Sequence, residues 1–202
     1  MSRLEKFIRN EDGVASVEFA LLSVALISVT IGALELGLGF FQYNTAQQAA
    51  RIGARLAAVS DPVARDMTYM TGLSNNVKSG DSMPDYLRTC SGVTQSCNIG
   101  AYNSAQMNAL LYGPDNDGVC ATTEKLRRGI CDVFPKVSRE NITISYQGSG
   151  LGIAGNPAVL SPLITVRLSG LEFDFAVADA FISKKFQAMP DIEVTMMAED
   201  LR

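Results

Sequence analysis

Residues 14–41 read VASVEFALLSVALISVTIGALELGLGFF, 28 residues with only two charges, Glu18 and Glu35. As a helix this run would be about 42 Å long, and a bilayer core needs only about 20 apolar residues. The rest of the chain is too small to bury every face of such a helix, so a membrane span is expected rather than the core helix of a soluble protein. A secretory signal has an apolar core of roughly 7–15 residues followed by a small-residue cleavage site. Here the run is longer, and Gly13 comes before it.

Working outward, Arg3, Lys6 and Arg9 precede the run, and the first basic residue beyond it is Arg51. That asymmetry predicts a cytoplasmic N-terminus and an exported C-terminal portion in a single-pass arrangement. Of the 202 residues, 47% are hydrophobic and 19% charged, and much of the apolar excess lies in this run. One globular domain plus an anchor is the expected organisation. The net charge of −4 gives no reason to expect nucleic acid. Without residues 1–13 the basic count falls from 17 to 14 and the acidic count from 21 to 18, so the balance stays at −4.

A glutamate in hydrocarbon costs several kcal/mol and is normally paired or functional. Glu18 has two readings on position alone: wet and close to the cytoplasmic face, or paired. For Glu35, further along, a wet position near the outer interface is expected. Ser28 with Gly32, and Ala33 with Gly37, are four apart and would let another helix approach closely.

The order of these features resembles a known family. A charged leader ends at Asp12-Gly13, and Glu18-Phe19 follow five residues later. This is similar to the processing site of type IV-like prepilins, where a membrane aspartyl peptidase cuts after the glycine. More narrowly, it resembles the TadE/TadF-like pseudopilins of the tight-adherence (Flp) pilus, with phenylalanine at Phe19 in place of the usual tyrosine. Residues 32–37 (GALELG), 49–55 (AARIGAR) and 195–199 (TMMAE) resemble TadE-type stretches as well. The resemblance implies cleavage between Gly13 and Val14 by a prepilin peptidase. It also implies that Glu18, with Phe19 beside it, serves subunit assembly by neutralising the new amine of an adjoining subunit. Physically, such a pair inside apolar helices sets register more than it adds stability.

Beyond Phe41 the helical period continues. Ala46, Ala49, Ile52, Gly53 and Leu56 fall on one face, and Gln47, Gln48, Arg51 and Arg55 elsewhere. Ser60-Asp61-Pro62 then breaks the pattern. A helix from 14 to about 59 would be about 69 Å long. Four parts are expected: a prepilin-type leader over 1–13, a transmembrane segment over 14–41, its amphipathic continuation over 42–60, and an extracytoplasmic α+β domain over 61–202.

Within that domain, Gly80 and Pro84 mark a loop, and 103–112 and 123–134 could be short helices. Thr122 or Thr123 would cap the second, with Glu124 in its first turn. All four cysteines (Cys90, Cys97, Cys120, Cys131) follow the apolar run. An even number in the exported part suggests two disulfides in an oxidising compartment. Of three connectivities, sequence neighbours (Cys90 with Cys97, Cys120 with Cys131) are preferred; the spacing holds no CxxC pair that would suggest zinc. From residue 141 the period becomes two. Ile142, Ile144 and Tyr146 alternate with polar neighbours. So do Ile164, Val166 and Leu168; Leu171, Phe173 and Phe175; and Ile192, Val194 and Met196. Such strands form an antiparallel sheet with one wet face, joined by a glycine-rich loop over 148–156. The fold class expected is α+β, a pilin-like long N-terminal helix packed on an antiparallel β-sheet.

Sites for chemistry are sparse. The chain has no histidine, the commonest general base and metal ligand. Asp115, Asp117 and Glu124 around Gly118 do not keep EF-hand spacing, and a plain turn is preferred. Glu172 and Asp174 lie two apart and share a polar strand face. No GxSxG, HExxH or P-loop occurs. The expectation is no enzyme, no cofactor and no metal. The expected function is that of a minor pilin or pseudopilin taking part in assembly or initiation of a tight-adherence pilus. Its partners would be the prepilin peptidase, other pilin and pseudopilin subunits, the inner-membrane assembly machinery and the lipid bilayer. The alternative is a permanently anchored periplasmic binding or sensor module that never enters a filament. The mature N-terminus discriminates between them.

Overall fold

The structure is a computed structural model that describes residues 14–115, 117–120, 127–156, 160–177 and 187–198. Its spine is α1, Val14–Ala58, 45 residues long and therefore about 67 Å. The helix ends just before Ser60-Asp61-Pro62, where the Ser60 hydroxyl donates to the Leu56 carbonyl (2.7 Å).

Five strands follow: β1 (Leu87–Ser91), β2 (Ser96–Cys97), β3 (Ile142–Gly148), β4 (Pro162–Leu168) and β5 (Ile192–Met197), in the order β2-β1-β3-β4-β5. Every pairing is antiparallel. Register places Cys97, Cys90, Ile144, Val166 and Val194 in one row across the sheet. Alternation then sorts the faces. Ile142, Ile144, Tyr146, Ile164, Val166, Leu168 and Ile192 are buried. On the other face Thr165 and Thr195 share a hydrogen bond (2.8 Å), and Arg167 pairs with Asp191 and Glu193.

The buried face is covered by the second half of α1, which packs on β4, β5 and the short helix Ile130–Val133. The helix meets them with Ala46, Ala49, Ala50, Gly53, Ala54 and Ala57, all buried, while Arg51 and Arg55 stay exposed. Small residues bring the backbone close to the sheet. At Gly53 even a methyl group would lie 2.6 Å from Ile130 Cδ1, well inside van der Waals contact. Tyr146 is fully buried, and its hydroxyl accepts from the Val63 N–H (2.9 Å) just beyond the helix end. Burial pushes the phenol pKa up, and the Val63 hydrogen bond opposes this more weakly.

Two short helices flank this core. α2, Ser104–Tyr112, is capped by Asn103, whose side chain accepts from the Gln106 N–H (3.4 Å). α3 is only Ile130–Val133. Of the helix expected over 123–134, the described residues 127–129 are not helical and Ile130–Val133 are; Thr122, Thr123 and Glu124 lie outside the described residues. Gly129 sets that limit, because its Cα presses on the backbone of Leu111–Gly113 (a Cβ would come within 2.3 Å). The cysteines pair as Cys90–Cys97, across β1 and β2, and Cys120–Cys131, with Cα separations of 4.0 and 5.3 Å. Each bridge constrains a short loop of the unfolded chain.

One expected strand is not a strand. Leu171–Phe175 keeps its alternation, with Leu171 buried and Glu172 exposed, but its only ladder contact among the described residues is the isolated bridge Glu172↔Ala188. Gly170, at φ +68°, turns the chain out of the sheet after β4. The segment then runs to the middle of α1 and bonds to it.

Candidate functional site

Residues 15–34 form the bare half of α1. Its best 18-residue window has a mean hydropathy of 2.2 with none of it buried, so the helix is long and apolar enough to cross a membrane. Three of its hydroxyls turn inward: Ser23 donates to Phe19 O (2.7 Å), Ser28 to Val24 O (2.8 Å) and Thr30 to Ile27 O (2.8 Å). Such back-bonding would satisfy these donors wherever water is scarce beside a helix. Gly32 and Gly37 have nothing within 4 Å of a notional Cβ, which leaves room for a neighbouring helix.

Glu18 and Phe19 both stand on this half, fully outward, with Phe19 73% exposed. Glu18 has no partner among the described residues. Gly13 and the rest of the leader lie outside the described residues, and α1 is described from Val14.

Glu35 behaves differently from the expectation of a wet carboxylate. It is 8% exposed. Its Oε2 accepts from the Ala176 N–H (3.1 Å) and its Oε1 from the Val177 N–H (2.6 Å). Charged acceptors on backbone donors make stronger hydrogen bonds than neutral ones. Two turns on, Gln42 donates to the Asp174 carbonyl (2.6 Å) and accepts from the Asp174 N–H (2.9 Å). Lys136 closes the group, 3.1 Å from the Asp174 carboxylate. Between these two ties lies Gly39, where a Cβ would sit 3.4 Å from the Phe175 ring; the missing side chain lets the aromatic seat against the helix. The domain therefore clasps α1 from Glu35 onward. Sequence reasoning missed this clasp, since the domain meets Glu35 and Gln42 mainly through main-chain N–H and C=O groups.

The remaining candidate residues do not gather into a reactive site. Asp117 accepts from the Val119 N–H (3.0 Å), a turn-forming bond. Glu172 and Asp174 are both exposed, and Asp174 is engaged by Lys136. Among the described residues no three of His, Cys, Asp and Glu cluster as metal ligands would.

This arrangement defines a protein built as an apolar stalk carrying a disulfide-bearing α+β domain. Residues 13–55 match the family model described as TadE-like protein. The matched stretch contains Gly13, Glu18, Phe19, Glu35 and most of the packed half of α1, and it is consistent with a TadE-like, pilus-associated protein. That family is structural and assembly-related rather than enzymatic. No curated protein and no solved structure matches the chain.

Proposed function

We propose that this chain is a minor pilin or pseudopilin of a tight-adherence pilus, processed by a prepilin peptidase between Gly13 and Val14 and active in assembly or initiation of the filament. The observation that carries the reading is the bare apolar half of α1 with Glu18 exposed on it, inside the stretch that matches the TadE-like model. An unpaired carboxylate in hydrocarbon is costly, so an assembly in which it meets a partner's amine is favoured over an isolated span. In this reading the bare half holds the chain in the inner membrane with the domain outside it, and later packs among the helices of other pilin and pseudopilin subunits. The domain then supplies subunit contacts within the assembly machinery.

The test is the mature N-terminus, read by intact mass and terminal sequencing from native membranes. Val14 is expected. Recovery of Met1 alone, in cells with an active prepilin peptidase, favours a permanently anchored periplasmic module instead. Glu18→Ala is expected to leave the domain folded and to abolish incorporation into the assembly; unchanged processing and incorporation would remove the role given to Glu18.

A further inference from the structure

Where the stalk meets the domain, the surface stays apolar. Leu36, Gly39, Phe40, Tyr43, Phe173 and Phe175 line much of an open groove of about 410 Å³, with the Phe173 and Phe175 rings 5.8 Å apart. Phe40, Phe41 and Leu36 are about two-thirds exposed, and Val177 is also exposed. We propose that this collar is a second membrane contact: the loop 171–177 and the flank of α1 over 36–41 seat the domain in the headgroup–acyl boundary of the bilayer. The proposal rests on the reading of the bare half as a membrane span.

Three observations select lipid as the occupant. The first is length. Residues 15–34 number 20 and rise about 30 Å, the thickness of a bilayer's hydrocarbon core. If they fill it, Glu35 comes at its edge, where its carboxylate is shielded by the Ala176 and Val177 N–H groups. The span then runs into the domain without a spacer.

The second is how far the apolar surface extends around the helix. Successive side chains turn by about 100°. Leu36 and Phe40 therefore share one side, and Leu38 and Phe41 another, about a quarter-turn or more away. All four are exposed. A second helix would cover one stripe; a ring of apolar residues fits lipid on every side that the loop leaves open.

The third is polarity along the axis. The six residues 36–41 rise about 9 Å, comparable to the 5–10 Å by which interfacial apolar faces enter the headgroup–acyl boundary. At the far end of that interval stand Gln42, Asp174 and Lys136, bonded to one another, where a wet polar rim belongs.

The chain has no tryptophan, so single tryptophans report depth without background. Full-length Phe175→Trp would be reconstituted in phosphatidylcholine–phosphatidylglycerol vesicles whose acyl chains are brominated either near the glycerol or near the methyl end. Its emission is expected to shift to the blue and to be quenched mainly by the shallow bromines. Val177→Trp repeats the measurement in case the first variant misfolds. Leu26→Trp, at mid-span, is expected to be quenched mainly by the deep bromines, and Val93→Trp, at the β1–β2 turn, by neither. Quenching at Leu26 without quenching at Phe175 or Val177 overturns the collar while leaving the span intact. Absence of quenching at Leu26 as well overturns the span reading itself. A blue shift at Phe175 that is unquenched and disappears as protein is diluted in lipid assigns the groove to a second copy and overturns the proposal.

Discussion

The two halves of α1 share one backbone conformation and have opposite surroundings. In the bare half, residues 15–34, the one glycine is a gap among leucines, valines and isoleucines that face outward; Gly32 has nothing within 4 Å of a notional Cβ. In the packed half, alanines and Gly53 form a continuous buried face, and a Cβ at Gly53 would lie 2.6 Å from Ile130. The same residue type thus leaves an open surface in one place and sets the helix–sheet distance in the other. A helix of this length needs no tertiary contact to be helical in lipid, where every backbone group must be bonded internally. In water the second half depends on the sheet it covers.

The largest test of that contrast is Gly53→Leu against Gly32→Leu. Overpacking a filled core costs about 3 kcal/mol, so Gly53→Leu is expected to lower the thermal midpoint of the domain by several degrees. Gly32→Leu should leave it unchanged. Equal effects in scanning calorimetry of the two full-length variants would erase the distinction between the halves.

A smaller effect is expected where the halves join. Glu35→Ala removes two charge-assisted hydrogen bonds, each worth about 1.5 kcal/mol or more, but the loss is local and should free the loop at Ala176 and Val177 rather than unfold the sheet. Hydrogen exchange there should accelerate while β3 and β4 stay protected. Glu18→Ala, one residue type and one helix but no clasp, should not alter exchange in the domain at all. If Glu35→Ala also left exchange at 176 and 177 unchanged, the clasp would not be what fixes the loop.

The smallest effect at neutral pH belongs to Tyr146. Tyr146→Phe leaves the buried Val63 N–H without its acceptor, at a cost of about 1 kcal/mol. Its alkaline behaviour is more informative. Burial raises the folded pKa of Tyr146 above its ordinary value of 10.0, and that of the half-buried Tyr86 to about 12, with Arg88 opposing. A raised folded pKa means that the unfolded chain loses its protons first. The stabilisation is complete below about pH 10 and declines as the pH rises from there toward the folded pKa values. Chemical denaturation between pH 9 and 12 is expected to show that decline in the wild type, and a shallower one in Tyr146→Phe.

Much of this fold is legible in side-chain periods. The helical repeat and the stop at Ser60-Asp61-Pro62 mark α1, and period-two alternation marks β3, β4 and β5. β1 and β2 carry no such mark: Cys90 is the single buried side chain of β1, so there is no apolar row to read. Leu171–Phe175 shows the opposite case. Its alternation is real, but alternation reports an extended chain lying against an apolar surface, and here that surface is α1 rather than a neighbouring strand. Glu18 and Phe19 were legible as candidates because they sit near one glycine at the mouth of an apolar run. Glu35 was not, because its partners lie 141 and 142 residues away.

By itself the sequence determined that a long apolar helix would exist, that its second half would be amphipathic, and that an alternating set of strands would cover it. Each of these follows from hydrophobic period and local chain-breaking chemistry, which any segment carries within itself. The tertiary structure alone decided how far back the domain grips the helix and that Glu35 is shielded rather than wet. Those outcomes depend on main-chain N–H groups brought from the far end of the chain. Every residue but proline has such a group, so nothing in the residue types announces which of them will meet a carboxylate.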